Sequence, residues 1–242
     1  MSEPGGNLKA HAKGFFVTGT DTGVGKTYAT CALMRMLARN GLKVGGMKPV
    51  ASGGIVVDGH IRNQDALSLL QYGSVPLPYD WVNPYVFETP ESPHLAARSE
   101  GVVVQESVVI DAYGKLINEV DCLVVEGAGG WLAPLRSDFA IEDLAVLLRL
   151  PVILVVGLRL GCINHARLAH YAISHGRATF AGWIANYLDS ECALAERMEH
   201  SVSEFLGTAP LGRLGYSAGK AGFDSDSNNH WNSSEILRHI TP

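Results

Sequence analysis

The stretch Gly19-Thr-Asp-Thr-Gly-Val-Gly-Lys-Thr27 constrains this chain more than any other. It follows the apolar run Gly14-Phe-Phe-Val-Thr18 and opens a helical pattern over Lys26–Asn40. A glycine-rich loop between a strand and a helix leaves backbone N–H groups free to cradle phosphates, and the helix N-terminus adds partial positive charge. In that setting Lys26 reaches the outer phosphates and the Thr27 hydroxyl reaches Mg²⁺. A plain turn would explain Gly23 and Gly25 but not Lys-Thr at the helix start. The usual spacing G-x-x-x-x-G-K-[ST] is broken at its first position, where Thr20 stands and Gly19 comes one residue early. The nucleotide contacts expected here are Gly23, Val24, Gly25, Lys26, Thr27 and Tyr28.

Four further apolar runs alternate with helical patterns: Lys43–Lys48, Cys122–Glu126, Pro151–Val156 and Phe180–Ala185. Strands apolar on both faces belong to a parallel sheet covered by helices on both sides. The helices expected are Lys26–Asn40, Asp65–Gln71, Gln105–Glu119, Ile141–Leu150, Cys162–His175 and Ser190–Leu206. The fold class is therefore α/β, a doubly wound and mostly parallel sheet with ligands at the carboxyl ends of its strands. Neither an internal repeat nor a low-complexity linker divides the chain. Residues 14–216 read as one phosphate-loop domain, 1–13 as a flexible N-terminus, and 217–242 as a polar, mobile C-terminal tail.

Composition removes several function classes. With 19 basic against 24 acidic residues the net charge is −5, the reverse of a nucleic-acid footprint. The longest apolar run, Pro151–Val156, is far below the ~20 residues that span a bilayer, and Met1–Lys13 lacks the apolar core of a secretory signal. A cytoplasmic protein without membrane or nucleic-acid partners is expected. The four cysteines stand far apart in apolar contexts and read as buried free thiols, and the nine histidines show no metal-binding spacing.

Several polar residues stand at strand ends or helix starts. Lys48 precedes Pro49, which takes the chain out of the sheet; locally it is a solvated edge residue or a second cation for phosphoryl transfer. Glu126 closes the uncharged run Cys122–Val125 and precedes Gly127-Ala128-Gly129-Gly130, which suits a metal-liaison carboxylate or a turn. Asp65 heads a helix and on local grounds is its N-cap. Asn164 is a cap or a contact for a ligand carboxylate, and Asn186 is a turn residue or reads a base edge.

Four segments agree with one family: Gly19–Thr27, Lys48-Pro-Val-Ala-Ser-Gly53, Val125-Glu-Gly-Ala-Gly-Gly-Trp-Leu132, and Pro151-Val-Ile-Leu-Val-Val-Gly157 with Leu160-Gly-Cys-Ile-Asn-His-Ala166. The chain resembles the dethiobiotin synthetases from about Phe15 to Tyr216, including Asn83-Pro-Tyr85 and Ser92-Pro-His94. The resemblance implies an ATP-dependent ring closure. CO₂ or bicarbonate and 7,8-diaminononanoate give a carbamate, ATP converts it to a carbamic–phosphoric anhydride, and the second amine closes the cyclic urea. By position it implies Thr27, Asp65 and Glu126 as Mg²⁺ ligands and Lys26 and Lys48 as catalytic cations. Gly127, Ala128 and Gly129 fall at the nucleotide, and Thr22 and Ser52 at the substrate. Asn186, Tyr187, Leu214, Gly215 and Tyr216 fall at the adenine pocket. It also implies a homodimer in which Asn164 reaches the substrate tail of the neighbouring subunit. Gly23 stands where some members carry a glutamate, and Gly212–Tyr216 departs from their Pro-containing loop. The rival readings are a cobyrinate-type amidotransferase synthetase, for which a glutaminase domain is missing, and a partitioning-type switch ATPase, whose additional loop lysine is absent from Thr20–Thr22.

Overall fold

In the computed structural model the described residues are 14–189, 192–216 and 229–240; the segments expected as a flexible N-terminus (1–13) and the 217–228 part of the tail lie outside them. The strands are β1 Gly14–Gly19, β2 Val44–Met47, β3 Val50–Ala51, β4 Ile55–Val57, β5 His60–Arg62, β6 Tyr85–Val86, β7 Cys122–Gly130, β8 Pro134–Arg136, β9 Phe139–Ala140, β10 Val152–Leu158, β11 Phe180–Tyr187, β12 Gly212–Leu214 and β13 Asn229–Trp231. The helices are α1 Lys26–Arg39, α2 Gln64–Tyr72, α3 Tyr79–Val82, α4 Pro93–Ser99, α5 Glu106–Ile117, α6 Ile141–Leu148, α7 Cys162–His175, α8 Cys192–Leu206 and α9 Ser233–Leu237.

Among the described residues the main sheet has seven strands in the order β13-β12-β11-β10-β1-β7-β2. All pairs are parallel except β12 with β13. The chain first builds β2 and β7 on one side of β1, then β10, β11 and β12 on the other. The loop after β1 thus sits where the winding reverses, the place where such sheets open a crevice for ligands. Strands β1 and β10 are buried along their whole length, as continuous apolar runs demand. Each fully buried Phe, Val, Leu or Ile there contributes about 1.5–3 kcal/mol relative to exposure.

The elements expected from the sequence are present with shifts of a residue or two at their ends, except that β7 runs four residues past Glu126 to Gly130. Gly25 is the N-cap of α1 at φ 83°, and a Cβ there would strike Asn186 Nδ2, so only glycine fits. Asp65 is not the cap of α2. Asn63 is: its side chain accepts from the backbone N–H groups of Asp65 and Ala66, so Asp65 lies in the first turn with its carboxylate free of that duty.

The polar tail is corrected for its second part. Trp231 lies over Gly212, where a Cβ would sit 2.5 Å from the indole, and β13 seals the open edge of β12. Ile236 and Ile240 are buried in the core, and the His239 ring meets Phe15 of β1 edge-on at 6.0 Å. Two buried isoleucines and an indole outweigh the local polarity that made 217–242 read as a mobile tail. The cysteines Cys31, Cys122 and Cys162 are free and buried; the side chain of Cys192 lies outside the described parts. Among the described residues no helix is long and apolar enough to cross a membrane.

Candidate active site

Strands β1, β7 and β2 are neighbours, so the groups at their carboxyl ends meet. The helix entered from β1 brings Lys26 and Thr27, β7 brings Glu126, and the exit from β2 brings Lys48. Glu126 is fully buried, Lys48 is 3 % exposed and Lys26 7 %. Thr27 Oγ1 donates to Glu126 Oε1 at 2.9 Å, and Lys48 Nζ donates to the same oxygen at 2.6 Å and to Gly127 O at 3.2 Å. Lys48 Nζ also lies 2.9 Å from Asp65 Oδ2, delivered by the start of α2. Lys26 Nζ folds back onto Asp21 O at 2.9 Å, inside its own loop.

Lys48 is thus no solvated edge residue, since it bridges two carboxylates. Glu126 does not end its strand as the sequence suggested. Strand β7 continues to Gly130, which pairs with Gly19 across a register shift of the β1–β7 ladder. Glycines without side chains allow that shift beside the phosphate loop. A second set of polar contacts fixes the backbone around Lys48. Tyr79 Oη donates to Asn83 Oδ1 at 2.8 Å, Asn83 Nδ2 donates to Lys48 O at 2.7 Å, and Asn63 Nδ2 donates to Ser52 O at 3.2 Å.

The electrostatics follow from burial. Burial, and next the Lys48 charge, pull the Lys26 ammonium down to about 8. Burial also pulls on Lys48, but Glu126 and Asp65 outweigh it and hold its pKa above the ordinary lysine value. Asp65 resists its partial burial in the same way, its carboxyl held below the usual range mainly by Lys48. Two ammonium groups and two carboxylates cancel, so a polyphosphate entering here meets no net positive charge from these four groups. A divalent cation would supply it. Glu126 Oε2 is buried with no hydrogen-bond partner among the described residues, and a hydroxyl with two carboxylates is the hard-oxygen set that Mg²⁺ prefers. The donors therefore fit Mg²⁺. No group of three His, Cys, Asp or Glu side chains is placed to hold a metal among the described residues, so phosphate and water oxygens would have to complete the shell.

These groups line one cavity of about 730 Å³. Of the expected site residues it gathers Thr22, Gly23, Gly25, Lys26, Thr27, Lys48, Ser52, Asp65, Glu126, Ala128 and Gly129. Val24, Tyr28 and Gly127 lie beside it without lining it. The sequence reading missed the lining segment Pro90-Glu91-Ser92-Pro93, along with Ala51, Asn63, Gly130 and Ala133. The paired prolines and the Ser-Pro-His motif were the available signals.

The residues expected at the base lie farther along the same rim and outside the cavity lining. Asn186 Nδ2 donates to Val24 O at 2.9 Å, tying β11 to the phosphate loop. Tyr187 Oη donates to Glu199 Oε2 and Arg213 Nε to Glu199 Oε1, both at 2.8 Å. Leu214 is buried in the sheet and Tyr216 is exposed; Gly215 lies between them, past the end of β12. Asn164 is exposed near the start of α7 and is not brought to the cavity of its own chain.

A family model described as an AAA domain, AAA_26, matches residues 13–219. The ATP-dependent dethiobiotin synthetase BioD 1 of Escherichia coli O157:H7 is 48 % identical over 175 residues, covering 72 % of this chain and 78 % of that protein. The corresponding protein of Xylella fastidiosa strain Temecula1 is 47 % identical over 203 residues, 84 % and 88 % of the two chains. The chain belongs to the dethiobiotin synthetase family. Among solved structures, the MinC:MinD cell division complex of Aquifex aeolicus aligns with a TM-score of 0.53 at 16 % identity, over 88 % of this chain and 84 % of that one. A ParA family ATPase of Chlorobium tepidum gives 0.51 at 11 %, over 86 % of each. At those identities the likeness is one of fold alone: this dethiobiotin synthetase family member shares the architecture of its sheet with those two structures.

Proposed function

We propose that the chain closes 7,8-diaminononanoate and CO₂ into the cyclic urea of dethiobiotin with ATP, as a cytoplasmic homodimer. The observation that carries this reading is the convergence of Lys26, Lys48, Thr27, Asp65 and Glu126 at the mouth of the phosphate loop, in a chain about 47 % identical to synthetases of that name. An amine nitrogen attacks CO₂ and loses a proton, giving a carbamate. A carbamate oxygen then attacks the γ-phosphorus as ADP leaves. The second amine attacks the carbonyl carbon and loses a proton, and inorganic phosphate departs with the C–O electron pair.

For the protein this is chiefly positioning and charge neutralisation. The loop from Gly23 to Thr27 holds the phosphates, with Tyr28 behind it, and Lys26 turns from Asp21 O to the transferred phosphoryl. Lys48, held rigid by Asp65, Glu126 and Asn83, faces the carbamate and the charge that develops on it. Thr27, Asp65 and Glu126 would hold Mg²⁺, which when bound would neutralise phosphate charge. Ser52 and Thr22 contact the diamine, Ala128 and Gly129 let the backbone approach the ligand, and Asn186 to Tyr187 with Leu214 to Tyr216 form the base pocket. Asn164 serves the partner's site. A turnover assay with diaminononanoate, bicarbonate, MgATP and the purified chain, reading phosphate and cyclic urea together, tests the proposal. Phosphate release without urea would turn it into a switch ATPase.

A further inference from the structure

We infer that Ser92, acting with His94, is the proton acceptor for the amine of the substrate that is still an ammonium at neutral pH, an inference that rests on the diamine reading above. In a 1,2-diamine the two neighbouring like charges let the first proton leave near neutrality. The second nitrogen keeps its proton up to the lysine value of ~10.4, and until it loses that proton it has no lone pair with which to attack a carbon. The cavity must therefore provide a place for that proton. Asp65 and Glu126 are engaged by Lys48, and Lys26 and Lys48 belong to the phosphate side. Ser52, Glu91 and Ser92 line the same cavity, with Ser52 Oγ already donating to Glu91 O at 2.7 Å.

Ser92 stands at the N-cap of α4, the position where serine normally binds the helix's free N–H groups, yet its side chain makes no capping bond. Its Oγ lies 2.9 Å from His94 Nδ1 instead. Pro93 between them is the first residue of α4, and its ring restricts both its own backbone and that of Ser92. The dipeptide step is thus rigid, and the hydroxyl is turned from the helix to the imidazole. With the imidazole proton on Nε2, Ser92 Oγ–H donates to Nδ1, and the Ser92 oxygen keeps lone pairs for an ammonium N–H in the cavity it lines.

The transfer balances as follows. The ammonium N–H bond breaks and its electron pair stays on nitrogen; that proton goes to Ser92 Oγ as the original hydroxyl proton passes to His94 Nδ1. Serine ends as it began, and the positive charge moves from ammonium to imidazolium. His94 is half-buried, so Nε2 can return a proton to water. The charged groups on the elements next to the pair are Glu91 in the adjoining loop, Arg98 on α4 itself, and, on β8, which packs against α4, Arg136, whose guanidinium is bound to Glu106 and Asp138.

The experiment compares Ser92→Ala, Ser92→Thr and His94→Gln with the parent protein for urea formation from diaminononanoate, CO₂ and MgATP between pH 7 and 9. Both Ser92→Ala and His94→Gln should keep the parent melting temperature and KM for ATP while losing about 100-fold in kcat/KM for the diamine at pH 7. That deficit should narrow by about tenfold per pH unit, because solution then supplies free amine. Ser92→Thr, which keeps the hydroxyl, should recover most of the rate. A loss equal at every pH, a loss confined to ATP, or no loss in either variant would overturn the relay while parent turnover upheld the diamine reading. A parent protein that forms no urea would overturn that reading and the relay with it.

Discussion

Replacing Lys48 by Met removes the one ammonium that lies between Glu126 and Asp65. Glu126 is fully buried and its Oε1 is 2.6 Å from Lys48 Nζ, so the substitution strands a carboxylate away from water with only the Thr27 hydroxyl in reach. Breaking a buried pair from one side costs about 3–5 kcal/mol, whereas replacing both members by neutral groups of similar shape is close to neutral. Lys48→Met alone should therefore lower unfolding stability by about 3–5 kcal/mol, and adding Glu126→Gln should restore more than half of that loss. Asp65 keeps the recovery incomplete, since it loses a partner in both variants. Urea denaturation at pH 7, with the slope m checked for constancy, measures the cycle. Both variants should be inactive, so stability returns without turnover. A double variant as unstable as the single one would mean that the pair is not electrostatically coupled.

Because burial leaves Lys26 with a pKa of about 8, it loses its proton as pH rises through that value. The kcat/KM for ATP, which reports the free enzyme, should fall above about pH 8 while kcat stays flat further into alkali; identical limbs would refute this. Asp65→Asn and Glu126→Gln should each raise the Mg²⁺ concentration for half-maximal rate, and an unchanged titration would leave Asp65 with the ion pair alone. Asn164→Ala should raise KM for the diamine by about 10- to 150-fold, the worth of a hydrogen bond to a charged group at about 1.5–3 kcal/mol. KM for ATP should not move, and mixing that variant with a Lys48 variant should regain activity in exchanged dimers. Ile236→Ala should destabilise by about 2–5 kcal/mol, as for a buried core isoleucine; a neutral result in chemical denaturation would return α9 to the status of a solvated tail.

Signals confined to one stretch of chain were the legible ones. The phosphate loop and five core strands of the sheet are written in contiguous residues, and periodicity finds them. Roles fixed by partners distant in the chain were not legible. Asp65 and Asn63 stand two residues apart and are both good caps, and only the approach of Lys48 tells which one is free. Glu126 looked like a strand end because glycines follow it, but the ladder with β1 carries the strand on. In the tail, one tryptophan and two isoleucines are diluted by Asn, Ser and Gly. Their burial depends on an open sheet edge and on the surface beside Phe15, which no local window contains. Asn186 was ambiguous for the same reason, its bond being to Val24, 162 positions away.

Among the described strands β1 is the first to be synthesised and is flanked on both sides by strands made much later: its two neighbours begin at Cys122 and Val152. At translation rates of about 5–20 residues per second, Phe15, Phe16 and Val17 leave the ribosome roughly 7–28 s before β10 exists to cover their second edge. During that time the nucleotide loop has a helix behind it but no sheet beneath it, and ATP has nothing rigid to bind. The nascent chain therefore leaves Phe15, Phe16 and Val17 uncovered throughout that interval, which makes β1 a natural place for a chaperone to hold. It also makes nucleotide capture a late event that reports completion of the fold.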